Sequence, residues 1–380
     1  MSIHQFNFPT HIQFGPAASR AGIAHLKEKR FTRPLVVTDA GVAPLAFFKT
    51  FVDSVHQSGL SPAVYSKISG NPVTHHVTDG VKAFHDHHAD CLIAIGGGAA
   101  LDVAKAIVLM AFHPGDLFDY EDGKADARPI DKEIPYWIAL PTTAGTGSEV
   151  GRSAVISDEK THVKKIVFSP RLLAPAVFAD PELTLELPAK VTASTGMDAL
   201  THCVESFLAK GYHPICDGIA LEGLRLAAEN LKRAVRQPLD REARAGMLMS
   251  SMMGAIAFQK GLGLTHSCAH SLSTVHDLHH GLANGIMIDH ALRFNVPAVA
   301  DRFRRLAQTV GIDDQTGDGF LRWLADLKTD IGIPAKLGAV GVTKASIDRL
   351  SELAFADGCH QCNPRACTQA DFRAIFTEAI

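Results

Sequence analysis

The sequence has no basic surplus. Lys and Arg number 37 against 40 Asp and Glu, for a net charge of -3, too little positive charge to neutralise phosphates along a nucleic acid. A nucleic-acid partner is therefore excluded as an expectation. There is also no long apolar run: the long uncharged stretches Ile134 to Ser148 and Ala245 to Gln259 fall short of a membrane span. Met1 to Gly15 lacks a basic segment followed by an apolar one, so a soluble protein in the cytoplasm, with no membrane partner, is expected. Cysteine is present but unpaired in pattern. Seven thiols, an odd number, are scattered along the chain with one C-x-x-C pair, Cys359 and Cys362, which predicts free thiols in a reducing compartment. With 31 Gly and 19 Pro in 380 residues and no repeat or low-complexity segment, the disordered and fibrous classes are excluded.

What is present is enough apolar material, 46% of 380 residues, for about two domains. Up to about residue 180, short Val- and Ile-rich runs alternate with helix-like stretches, the pattern of βαβ units around a parallel sheet. Strands are predicted at Leu35 to Thr38, Cys91 to Ile95, Trp137 to Leu140 and Ala176 to Ala179. From Ser194 onward the apolar residues recur at helical spacing, as in Ile219, Leu221, Leu224, Leu226, Ala227 and Leu231. The boundary is expected between Pro181 and Pro188, giving an α/β dinucleotide-binding domain over 1–184 and an all-helical domain over 185–380.

Two turns of the first domain suit a dinucleotide. CLIAI runs into Gly96, Gly97 and Gly98 and then a helical stretch. Glycines let a backbone approach a bulky anion, and the helix start offers unpaired N–H groups at its positive end. A glycine turn of simple geometric purpose would read the same way, because neither G-x-G-x-x-G nor a Walker spacing is present. PTTAGTGSEV adds the hydroxyls of Thr142, Thr143, Thr146 and Ser148 after another strand. Asp39, ending PLVVTD, either accepts from a ribose 2′-OH, favouring NAD over NADP, or caps the next helix.

Histidine is the compositional outlier, with 20 copies. FHDHHADC reads as a solvated helix end. In STGMDALTHCVESF, Asp198 and His202 share one helix face at i and i+4, behind a Ser194 or Thr195 cap. GLGLTHSCAHSLSTVHDLHHGLANG supplies His266, His270, His276, His279 and His280. On one straight helix His266 and His280 would be about 21 Å apart, so either that helix breaks or His280 is no ligand.

GGGAALDVAKA, PTTAGTGSEV, GMDALTHCVES and GLTHSCAH…HHGLANGI resemble, in order and spacing, the successive signatures of the iron-containing (group III) alcohol dehydrogenases. The resemblance runs along nearly the whole chain and implies a dehydroquinate synthase-like fold. It implies metal ligation by Asp198, His202, His266 and His280, with His270 beside the nicotinamide and off the metal. It also implies NAD contacts from Asp39, Asn71, Gly97, Gly98, Thr142, Thr143 and Lys164. Fe²⁺ is the metal implied, although one carboxylate and three imidazoles would also accept Zn²⁺ or another divalent ion. Ala99 and Ala100 depart from the usual Ser-Pro, Gly151 from the frequent Thr, and His279 from a frequent Pro.

The expected activity is an NAD-dependent, metal-assisted alcohol dehydrogenase or aldehyde reductase acting on a short-chain primary alcohol, working as a homodimer, with His270 relaying the alcohol proton. One alternative is a short ω-hydroxy acid such as 4-hydroxybutyrate, its carboxylate paired with Arg152, His360 or Arg365. Another is a dehydroquinate synthase-like lyase, for which no Lys or Arg cluster stands near residues 240–280. A metal-storage protein would leave the two phosphate-type turns without purpose.

Overall fold

The computed structural model describes residues 10–161 and 163–380 and divides into two compact units. The sheet unit comprises the described residues up to Thr143 together with Ser148–Glu186; the helical unit comprises Leu187–Ile380 and the short segment Ala144–Gly147.

The sheet unit carries strands β1 (His11–Phe14), β2 (Pro34–Asp39), β3 (Ala63–Ile68), β4 (Cys91–Gly96), β5 (Trp137–Pro141), β6 (Ser153–Ser157), β7 (Lys164–Phe168) and β8 (Ala176–Ala179). Its helices are α1 (Ala18–Glu28), α2 (Ala46–Gln57), α3 (Thr74–Asp86) and α4 (Gly98–Met110). Six strands form one parallel sheet in the order β1-β8-β5-β4-β2-β3, while β6 and β7 make a separate antiparallel hairpin. The four strands expected from Val- and Ile-rich runs are the four central ones. They are legible because a strand covered on both faces is apolar throughout, as β4 is. The outer strands β1 and β3 and the hairpin are buried at only some positions, and β1 at none, so they carry no continuous apolar run. One face of the sheet, including Val36, Ile93, Ile95, Ile138, Leu140 and Phe178, packs with Leu26, Phe48, Phe51 and Val55 of α1 and α2 into a single core.

Strand order fixes where a ligand can sit. From β2 the chain crosses to β3 on one side and then returns to place β4 on the other. The loops after β2 and β4 therefore diverge at a topological switch point, leaving a crevice at the carboxyl ends of these strands.

The helical unit contains α5 (Ala189–Leu208), α6 (Pro214–Arg236), α7 (Arg241–Ala257), α8 (Leu264–His276), α9 (His280–Asn295), α10 (Ala300–Thr309), α11 (Gly317–Ile331), α12 (Ile347–Ala356) and α13 (Gln369–Ala379). α5 is the central helix, packed against α6, α7 and α9 and buried nearly all round from Thr192 to Leu208. It starts at Ala189, nearly two turns earlier than a Ser194 or Thr195 cap would place it. Those two hydroxyls lie inside the helix and donate to the carbonyls of Lys190 and Val191 at 3.0 and 2.9 Å. A hydroxyl that turns back to the i-4 carbonyl is spent there and caps nothing.

All seven cysteines are free thiols. Among the described residues, no helix is long and apolar enough to cross a membrane.

Candidate active site

The sheet unit brings five of the expected cofactor residues, Asp39, Gly97, Gly98, Thr142 and Thr143, to the loops around its switch point. Asp39 ends β2, and its Oδ1 accepts the backbone N–H groups of Gly41 and Val42, each at 2.9 Å. That oxygen caps the turn directly after β2 and not the next helix, since α2 starts at Ala46 with Leu45 as its N-cap. The second oxygen looks at the glycine turn: a Cβ placed on Gly96 would lie 3.2 Å from Asp39 Oδ2 and 2.6 Å from the Cβ of Ala100. Only glycine lets these two loops approach so closely. Thr142 joins the same edge, its N–H donating to the carbonyl of Gly96 at 3.0 Å, and Thr143 packs beside Gly97.

α4 begins at Gly98 with Gly97 as its N-cap and no side chain capping it, so its first N–H groups are available to an anion. Beside them the hydroxyls of Thr38 and Thr142 are buried and without a hydrogen-bond partner among the described residues, which fits a polar ligand at this edge. Asn71 lies in the loop before α3, where Ser157 donates its N–H to the neighbouring Pro72 carbonyl at 2.8 Å. Ser157 also pairs with Lys164 across the hairpin, so Asn71 and Lys164 approach one another through a single residue.

Below the turn lies a polar group that sequence reasoning missed. Lys105, fully buried on α4, donates to Ser148 Oγ at 2.7 Å and to the Ser153 carbonyl at 2.8 Å, with Asp102 at 3.5 Å. Asp102 accepts from Ser148 Oγ and from the N–H of Val155. An ammonium costs several kcal/mol to bury unless paired in this way, and the network ties α4 to the loop after β5 and to the hairpin. The adjacent Glu149 is also buried, and burial raises its carboxyl to about 7.

In the helical unit, Asp198 and His202 come from the buried face of α5, His266 from α8 and His280 from the first residue of α9. The helix break that a shared ion between His266 and His280 would require is present: α8 ends at His276, Asp277 takes a left-handed conformation with φ 50°, and α9 starts three residues later. Glycine then makes the approach possible, because a Cβ on Gly281 would lie 2.3 Å from the carbonyl oxygen of Ser194 on α5.

The four side chains converge. From Asp198 Oδ1 the Nε2 atoms of His202, His266 and His280 are 3.9, 3.8 and 3.4 Å away. The edge of a tetrahedron with bonds of ~2.1 Å is about 3.4 Å; the donor atoms of Asp198, His202 and His266 lie within 4.8 Å of one another, which suits one ion, and His280 Nε2 stands beside this group, next to Asp198 Oδ1. The rings of His202 and His266 stack at 4.7 Å. His280 is the open member, its side chain 27% exposed while the others are at 4% or less.

Supporting groups sit behind these donors. Glu205, one turn beyond His202, accepts from His266 Nδ1 at 2.7 Å and from the N–H groups of Gly263 and Thr265 at 3.0 and 2.6 Å. With Nδ1 committed to a carboxylate, the His266 lone pair is on Nε2 and faces the centre. Asn284, one turn beyond His280, donates to Asp198 Oδ1 at 2.7 Å and lies 3.3 and 3.2 Å from His266 and His280 Nε2. Both are legible in hindsight as i+3 and i+4 neighbours of expected ligands. Burial pushes the His202 imidazole down to about 4, so it is neutral at pH 7. Four acceptor atoms around one amide group are short of positive charge, and a divalent cation would supply it.

His270 stands at the rim of this group, stacked on His280 at 5.2 Å, and its Nδ1 meets Asp357 Oδ2 at 2.8 Å. The three cations considered for a substrate carboxylate all have partners. The Arg365 guanidinium lies 3.9 Å over the Phe294 ring and donates to that residue's carbonyl. Arg152 sits 5.2 Å over Phe168, and His360 Nε2 bonds to the Phe355 carbonyl.

A parallel sheet with a glycine turn at its switch point and a helical unit bearing a carboxylate–imidazole cage are the parts of a dinucleotide-dependent, metal-assisted dehydrogenase. The sequence matches the iron-containing alcohol dehydrogenase description over residues 9–181 and the C-terminal description of the same family over 192–380. It is 40% identical to a 4-hydroxybutyrate dehydrogenase of Cupriavidus necator, covering 92% of each chain. It is 34% identical to an NAD-dependent methanol dehydrogenase of Bacillus methanolicus, covering 99% of each. A crystal structure of 1,3-propanediol oxidoreductase superposes with a TM-score of 0.94 at 32% identity, over 99% of this chain and all of the other. The chain belongs to the iron-containing alcohol dehydrogenase family and is an NAD-dependent alcohol dehydrogenase of the iron type.

Proposed function

We propose that the chain interconverts a short-chain primary alcohol and its aldehyde. In this reading the residues up to 184 hold NAD and residues 185–380 hold the metal and the substrate oxygen. Asp198, His202, His266 and His280 would bind one divalent ion, Fe²⁺ by family and Zn²⁺ by donor chemistry, which when bound acts as a Lewis acid toward the alcohol oxygen while NAD accepts the hydride. Asp39, Asn71, Gly97, Gly98, Thr142, Thr143 and Lys164 would hold the cofactor. The first N–H groups of α4 would hold its pyrophosphate, and Asp39 would accept from the adenosine ribose. His270, exposed enough to reach solvent, takes the alcohol proton and passes it outward.

The observation that carries the reading is the convergence of three imidazoles on one Asp198 oxygen, with His280 opening the cage to solvent. The internal partners of Arg152, His360 and Arg365 favour an uncharged substrate. A second reading, a short ω-hydroxy acid, is favoured by the relative at 40% identity, whose name is 4-hydroxybutyrate dehydrogenase. The test is kcat/KM for NAD reduction across both classes on the metal-loaded enzyme. A preference for 4-hydroxybutyrate over 1-butanol above about tenfold, or ~1.4 kcal/mol, replaces the first reading with the second.

We also propose a homodimer working in the cytoplasm. The free state of all seven thiols supports a reducing compartment, and family resemblance supports the dimer. Sedimentation equilibrium would test the dimer.

A further inference from the structure

The contacts of Asp357 give it a role that no sequence motif suggested. It caps the C-terminus of α12 in extended conformation, φ -72° and ψ 143°, so the chain leaves the helix there. Its two oxygens take three donors. Oδ2 meets His270 Nδ1 at 2.8 Å, while Oδ1 accepts the Ser267 hydroxyl at 2.7 Å and the backbone N–H of Cys359 at 2.8 Å. Ser267 Oγ in turn accepts the N–H of His360 at 3.0 Å. The carboxylate is thus fixed by two residues of α8 and by the short helical turn Cys359–Cys362.

An ionised carboxylate only accepts, so at 2.8 Å the proton of a neutral imidazole must be on Nδ1. The lone pair is then on Nε2. The ring cannot turn over without losing this bond, and its face is held against His280 with planes 18° apart.

We propose that Asp357 is the positioning residue for the proton relay: it holds His270 in the Nδ1–H tautomer, with Nε2 as the atom that accepts the alcohol proton. The inference rests on the reading of His270 as the relay. It puts His270 and His266 under one rule, since each gives Nδ1–H to a carboxylate and keeps Nε2 for its task. The proton taken from the alcohol oxygen resides on Nε2 while Nδ1 keeps its own, and the resulting imidazolium faces the carboxylate that stabilises it. Solvent then removes the proton from Nε2.

The test uses the zinc-loaded full chain, which is diamagnetic. Histidine labelled with ¹⁵N reports the tautomer of His270, its signals assigned by their disappearance in His270→Ala. The wild type should show Nδ1–H, and an Nε2–H signal overturns the proposal without any variant. In Asp357→Asn the signals should move to a mixture of tautomers. With a primary alcohol, Asp357→Asn should lower kcat at least tenfold and change KM less than threefold. In the His270→Ala background, the same substitution should change kcat less than twofold. An equal loss in both backgrounds means a structural role and overturns the proposal. So does a second zinc equivalent lost with Asp357, because His270, Asp357 and Cys359 also lie within 4.8 Å of one another. If His270→Ala keeps full kcat, the relay reading fails by itself, and the tautomer signals still decide whether Asp357 positions the ring.

Discussion

The carboxylate of Glu205 accepts a hydrogen bond from His266 Nδ1 at 2.7 Å, and both side chains are at least 98% buried. The pair spans two helices. Glu205 comes from the central helix α5, and its oxygens also take N–H groups from the start of α8, so one side chain anchors a helix end and orients an imidazole. Partners of this kind typically change metal affinity about 10- to 100-fold. Glu205→Gln should lower Zn²⁺ affinity within that range, measured by competition with a chromogenic chelator. Unchanged affinity would mean that His266 is not a ligand.

Gly281 sets how closely α9 approaches α5. A methyl group there meets the Ser194 carbonyl at 2.3 Å, so Gly281→Ala must push the helix start away and carry His280 with it. The expected destabilisation is ~1–3 kcal/mol, read by urea unfolding of the metal-free protein. Metal content after dialysis should fall in parallel, whereas Gly341→Ala, in a remote left-handed turn, should lose stability and keep its metal.

Asp39 places one oxygen near the glycine turn and uses the other to cap its own loop. Its charge should repel a 2′-phosphate. Asp39→Gly should reduce the NAD:NADP ratio of kcat/KM at least tenfold, chiefly by improving NADP. If the wild type already uses both cofactors equally, Asp39 does not face the ribose.

Glu149 predicts a pH dependence of stability. Burial raises its carboxyl from 4.5 to about 7, so between those values the folded chain keeps a proton that the unfolded chain releases. Native protein then binds more protons than unfolded protein, and stability falls as pH rises through that window, by up to about 3 kcal/mol. Glu149→Gln should remove this fall. Urea unfolding at pH 4.5 and 7.5 measures it, and parallel behaviour of variant and wild type would refute a buried, protonated Glu149.

His270→Ala should leave metal bound and lower turnover about 10²-fold or more, the usual range for losing a proton-transfer group. His202→Ala and His280→Ala should lose the metal itself. Metal analysis alongside initial rates separates the two outcomes.

Local chemistry made the central parts legible. Strands β2, β4, β5 and β8 are apolar because parallel strands are covered on both faces, and that property is written residue by residue. The glycines after β4 and the i, i+4 pair Asp198 and His202 are likewise short-range patterns, and helix rise left a choice between a break before His280 and a His280 that is no ligand. What tertiary structure decided were the long-range partners. His266 and Glu205 are 61 residues apart, His270 and Asp357 87 apart, and Asp198 and Asn284 86 apart. No periodicity spans such distances. The first and last of these pairs meet because α5 is buried nearly all round, so a carboxylate placed on it must find its hydrogen bonds in whichever helices pack against it, whereas His270 and Asp357 meet because α12 packs on α8. The order of strands, and with it the switch point beside Asp39 and Gly96, was decided in the same way, because a parallel strand chooses its neighbour through the helix that crosses over and not through its own sequence.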